Sequence, residues 1–87
     1  MQLYASWTVV GIVTELREFK SDRNKTWRGY SIRVASLGAT FELTADAQQY
    51  SQIAVGQHLS FTGKFEESGG RQRLIITAID EPIEEAA

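Results

Sequence analysis

The sequence predicts a mostly β domain of five strands, with one short helix between the third and the fourth. Three observations carry this. β-Branched and aromatic residues fall into runs with a two-residue period, as in Ile32-Arg33-Val34 and Phe41-Glu42-Leu43. Turn formers separate those runs at 20–25, at Leu37-Gly38 and at Ser68-Gly69-Gly70. One stretch alone, between Thr44 and Gly56, changes to helical spacing, with Ala47, Tyr50 and Ile53 or Ala54 on one face.

The first strand spans 7–19 and is rich in Val, Ile and Thr. Both of its faces are apolar at the start, and Gly11 within it reads as a bulge or sharp bend of a strand that curls around a small barrel. A polar loop over 20–25 leads into a hairpin over 26–44 that turns at Leu37-Gly38, where the glycine supplies a positive φ. That turn sets Val34 against Phe41 and Ile32 against Leu43 on a core face, and Arg33 against Glu42 on a wet face with Thr26 or Trp27 at its entry and Ser31, Thr40 and Thr44 beyond. Thr44 is placed to cap the helix, Ala45, Asp46 and Ala47 form its first turn, and Gly56 stops it. The fourth strand, 57–66, has Leu59, Phe61, Gly63 and Phe65 on its inner row, and the fifth covers 72–79. In the fifth, Leu74, Ile76 and Ala78 face the core, yet Ile75 and Ile79 are apolar too. Together with Trp7 and Val9 they predict a covered outer surface, by the N-terminal segment or by a second copy in a homodimer. Pro82 ends the last strand, so residues 1–80 form the barrel and 81–87 a short acidic tail.

Eighty-seven residues make one domain, near the lower limit for a core without staples. A hydrophobic share of 43% against 23% charged is that of a soluble globule rather than a disordered chain. There is no cysteine, so neither disulfides nor thiolate-bound metal can help the core. That fits a reducing compartment, and with no signal peptide or membrane-length segment in view the expected location is cytoplasmic. The net charge is −2, but it is unevenly spread. Residues 17–33 carry six cations and two acids, a net +4, which leaves −6 for the rest. Local patches steer polyanions, so this basic segment points to an anion-binding role, against the bland alternative of a solvated turn.

Candidates for catalysis are absent from the pattern. His58 has no second histidine or cysteine to complete a metal site, the acids show no paired-carboxylate spacing, and the serines lack a nucleophile elbow. Gly69-Gly70 is a turn without a phosphate-loop pattern. The expectation is a binding protein, not an enzyme, with no cofactor and no metal.

Three strands, a short helix and two more strands is the order of the OB-fold, a five-stranded Greek-key barrel. The chain resembles that fold over nearly its whole length, through Gly11 in the first strand, the loop and hairpin at 27–44, and Val55-Gly56-Gln57-His58-Leu59-Ser60-Phe61-Thr62-Gly63 at the start of the fourth. An SH3-like barrel carries its helical turn nearer the chain end and fits less well. Among OB proteins the chain is similar to the small single-stranded DNA-binding proteins of phages and plasmids. That resemblance implies binding of single-stranded nucleic acid, DNA before RNA, without strong sequence preference, in a replication or repair accessory role. It places the contacts at Trp27, Arg28 and Arg33, with Arg17, Phe19, Lys20, Arg23 and Lys25 beside them. It also adds Arg71 and Arg73, just past the last turn, where OB domains often extend the site. One departure stands out: the wet face of the third strand offers Thr40, Glu42 and Thr44 and no aromatic, so Arg33 would have to neutralise Glu42.

Trp27 alternates with the core row and should point outward among cations, where it either stacks a base or plugs a barrel end or subunit contact. Tyr30 lies on the core row and reads as structural. Asp80, Glu81, Glu84 and Glu85 faintly resemble the acidic tails that recruit partner proteins, although solubility explains them as well. The rival function is therefore an OB-type protein-interaction module without nucleic-acid affinity.

Overall fold

The computed structural model of the chain describes residues 5–24 and 26–81. Lys25, the N-terminal segment invoked as a cover, and the acidic tail beyond Glu81 lie outside the described residues. The elements are β1 (Ser6–Lys20), β2 (Arg28–Ser36), β3 (Ala39–Ala45), α1 (Ala47–Ser51), β4 (His58–Ser68) and β5 (Arg71–Asp80). The strands close into a barrel in the order β1-β2-β3-β5-β4, with α1 between β3 and β4. This is the five-stranded OB architecture that the element order predicts.

β1 is long because it belongs to both halves of the barrel. Its first part, Ser6 to Ile12, pairs antiparallel with β4, and its second part, from Ile12 to Lys20, pairs with β2. Odd-numbered residues Trp7, Val9 and Val13 face the core, while Val10 and Ile12 face out. The register shift lies between Val13 and Glu15, not at Gly11. Gly11 has another function: a Cβ there would run into the carbonyl of Ala35, so the residue allows β2 to approach closely. Gly63 does the same on β4, where a Cβ would overlap the Trp7 indole and the Ile75 carbonyl. That gap takes in Trp7, whose Nε1 donates to the Lys64 carbonyl at 2.9 Å. Trp7 and Val9 are thus core residues, and the expectation that they belong to an outer surface in need of a cover is corrected.

The hairpin register is as predicted, with Ile32 opposite Leu43, Arg33 opposite Glu42 and Val34 opposite Phe41. Its turn has positive φ at both Leu37 and Gly38, 51° and 80°, the pattern of a two-residue turn that follows strand twist. Ile32, Val34 and Leu43 are fully buried, but Phe41 is exposed because the hairpin tip runs past the end of the barrel. The helix is shorter than its spacing suggests and starts later. Thr44 remains in β3, opposite both Ser31 and Ile75. Asp46 is the cap: its side chain accepts from the Gln49 N–H at 2.7 Å, while the Gln49 side chain accepts from the Asp46 N–H at 3.0 Å. The helix closes at Gln52, and Gly56 belongs to the turn into β4.

α1 stops one end of the barrel. Tyr50 meets Tyr30 with ring centroids 4.7 Å apart, Gln49 donates to the Ile76 carbonyl at 3.0 Å, and Ile53 is buried just beyond the helix. Phe61 is fully enclosed at the centre, as its place on the inner row required, with Ile76 nearby in the same core. Phe65 emerges where β4 and β5 leave the barrel as an arm, and Ile75 and Ile79 are half-buried rather than open. The β4–β5 register shift between Thr62 and Gly63 moves the β5 inner row, so Ile79 reaches the core and Ala78 is exposed. β3 and β5 close the ring through a single parallel bridge, Thr44 to Ile75.

Candidate nucleic-acid interface

Two arms rise from the same side of the barrel: the β1–β2 arm, which ends at Lys20 and Arg28, and the β4–β5 arm, which turns at Gly69-Gly70. Between them lies a groove of about 770 Å³. Its floor is the outer face of β2 and β3, at Gly29, Ser31, Glu42 and Thr44. Phe19, Trp27 and Arg28 form one wall, and Arg71 and Arg73 the other.

Local backbone explains the aromatic wall. Asn24 organises the loop before β2: its carbonyl accepts from the Trp27 N–H at 3.0 Å, and its side chain accepts from the Thr26 N–H and hydroxyl. Trp27 then lies over Gly29, where an added Cβ would strike the far edge of the indole. A glycine at that point lets a flat ring settle on the sheet. Trp27 keeps 47% of its surface exposed and Phe19 keeps 39%, so two partly exposed aromatic side chains lie at one wall. Trp27 is exposed, whereas Tyr50 and Ile53 sit at the barrel end that α1 closes.

The cations are distributed unequally. Arg28 donates to the Trp27 carbonyl at 2.8 Å and lies 3.7 Å from Glu18, on the face of the arm opposite Gly29. Arg17 lies 5.2 Å from the centre of the Phe19 ring and 3.6 Å from Glu15. Arg33 goes to Glu15 at 3.3 Å. The neutralisation of Glu42 by Arg33 is therefore corrected: the two are opposite in register, but the guanidinium turns towards β1, and Glu42 instead accepts from the Ser31 hydroxyl at 2.8 Å. Arg71 and Arg73 are exposed, and neither enters an ion pair among the described residues.

Of the ten residues that the sequence singles out, Phe19, Trp27, Arg28, Arg71 and Arg73 line the groove. Arg17 and Arg33 lie on the adjoining outer face, Lys20 and Arg23 are at the arm's end, and Lys25 is outside the described residues. The groove also includes Ser31, which is only 5% exposed, and Thr44, both read only as wet-face residues, and Gln72 and Leu74, which the sequence does not single out for binding. Ser31 is legible as a wet-face residue, but its burial comes from the neighbouring strands and has no signal in the sequence.

No protein-family model matches the chain, and no curated protein matches it in sequence. Its fold matches solved structures well. The mitochondrial single-stranded DNA-binding protein of S. cerevisiae superimposes with a TM-score of 0.67 at 14% identity, over 91% of this chain and 94% of that one. The SSB domain of a Synechococcus sp. protein superimposes with a TM-score of 0.60 at 13% identity, over 93% of this chain and 98% of that one. The chain has the OB fold of these single-stranded DNA-binding domains.

Proposed function

We propose that the protein binds single-stranded DNA in the groove between its two arms, without strong sequence preference. The observation that supports this best is the groove itself, in which exposed Trp27 and Phe19 face Arg71 and Arg73 across a strip of sheet. Bases stack on the aromatic wall while arginines hold phosphates, the combination that binds single strands in general. The fold shared with two single-stranded DNA-binding domains supports the same reading. The role is binding rather than catalysis, with Arg17, Arg33, Lys20, Arg23 and Lys25 adding positive potential along the approach.

We also propose that the chain self-associates through the outer face of β1. Val10 and Ile12 are 42% and 49% exposed there, side by side on one face of a long strand. Sedimentation that gives a monomer at all accessible concentrations would remove this part.

The test of the main reading is a salt series with fluorescent oligonucleotides. Affinity should fall steeply as salt rises, with log K linear in log salt. A protein-interaction module of the same fold would show no oligonucleotide affinity even at low salt.

A further inference from the structure

The groove contains one feature that backbone binding does not call for: a carboxylate in the floor between its aromatic and its cationic walls. Glu42 lies on β3, with Trp27 and Phe19 towards β2 and β1 and with Arg71 and Arg73 towards β5. A nucleotide that lays its base on the aromatics and its phosphate against the β5 arginines crosses β3, where Glu42 and Thr44 line the floor.

The carboxylate is held for that position. Ser31, nearly enclosed on the next strand, donates its hydroxyl to Oε1 at 2.8 Å. Arg33, the residue opposite in register, is drawn off to Glu15, so Glu42 enters no ion pair among the described residues. Glu42 is exposed and lines the groove together with Arg71 and Arg73.

We propose that Glu42 reads the pairing edge of a stacked base and makes the site favour guanine over thymine; this rests on the groove being the path of a single strand. Unstacked bases of a single strand present their pairing edges for hydrogen bonding, and acidic side chains accept from base N–H groups. Guanine offers an N1–H and an N2 amino hydrogen side by side, two parallel donors that suit one carboxylate. Thymine offers one N–H between two carbonyl oxygens, and those oxygens repel the carboxylate. Cytosine and adenine, each with one amino group beside an acceptor, fall between. Ser31 is the positioning residue that fixes the carboxylate's orientation.

The test uses three labelled 12-mers: oligo(dT), the same oligomer with guanine at every third base, and the same with inosine there. Inosine keeps the N1–H and lacks the N2 amino group. Binding by anisotropy to the full chain should be roughly five- to tenfold tighter for the guanine oligomer than for oligo(dT), as expected of one typical net hydrogen bond, with inosine between. Glu42→Gln should abolish the order, because the amide presents a donor where the carboxylate only accepts, and a thermal melt should show it folded like wild type. Ser31→Ala, which leaves the carboxylate in place, should narrow the order without abolishing it. Equal binding of all three oligomers by wild type would overturn the proposal. So would a Glu42→Gln variant that binds all three more tightly by one common factor, since that is simple relief of phosphate repulsion. Absence of binding to every oligomer at low salt would overturn the single-strand reading and this proposal with it.

Discussion

For individual residues, alternation along a strand is a reliable guide to position and shape complementarity is not legible. Trp27 can be placed outside because Tyr30 and Ile32 define the opposite row, and it is indeed exposed. Trp7 is misread because the cavity that receives it is made by a missing side chain at Gly63, on a strand more than fifty residues away. Two variants test these positions. Trp27→Ala should weaken single-strand binding by about 1–3 kcal/mol, the usual effect of removing one stacking partner, and leave the melting temperature near wild type. A variant that melts early but binds normally in the cold would assign Trp27 to the fold. Phe61→Ala, by contrast, removes a fully buried ring at the centre of the core and should destabilise the chain by about 3–5 kcal/mol in denaturant titration. In a domain of this size that is most of the stability.

Among the strands and the helix, the hairpin is legible to the residue and the helix is not. The β2–β3 register follows from two facts present in the sequence, a Leu37-Gly38 turn and one apolar face, so a slip by one would expose Ile32 and Leu43 together. The start of α1 depends on how far β3 continues. Thr44 and Asp46 are both good caps locally, but Thr44 is committed to the sheet by the barrel-closing bridge to Ile75, a partner thirty-one residues on. Asp46 takes the cap with Gln49 completing the box. Asp46→Ala should therefore destabilise the domain by about 1 kcal/mol, while Asp46→Asn should recover much of it. A chemical melt of both separates them; no difference from wild type in the alanine variant would mean that Tyr50 and Ile53 alone hold α1 in place.

The groove itself belongs to the barrel as a unit, because closure unites segments distant in the chain. Phe19 and Trp27 come from the β1–β2 arm, Arg71 and Arg73 from the β4–β5 arm, and only the Thr44–Ile75 bridge joins the strands between. The basic run at 17–33 is visible in the sequence because its members are contiguous. That Arg71 and Arg73 line the same groove, while Arg17 and Arg33 are occupied by Glu15, is decided by strand order and by competition among side chains. The two groups of arginines should then act differently. If the backbone of the single strand follows the β5 wall, reversing both charges in Arg71→Glu/Arg73→Glu should weaken binding strongly. It should also lower the slope of log K against log salt by about 1.4, since each phosphate neutralised on a single strand contributes roughly 0.7. Arg17→Ala should lower the slope by less than that single-phosphate value, because its guanidinium is already shared between Glu15 and the Phe19 ring. An unchanged slope in a properly folded double variant would take the β5 wall out of the interface. If Arg17→Ala instead lowered the slope as much as either β5 arginine should, the strand would run over the outer face of β1 and β2.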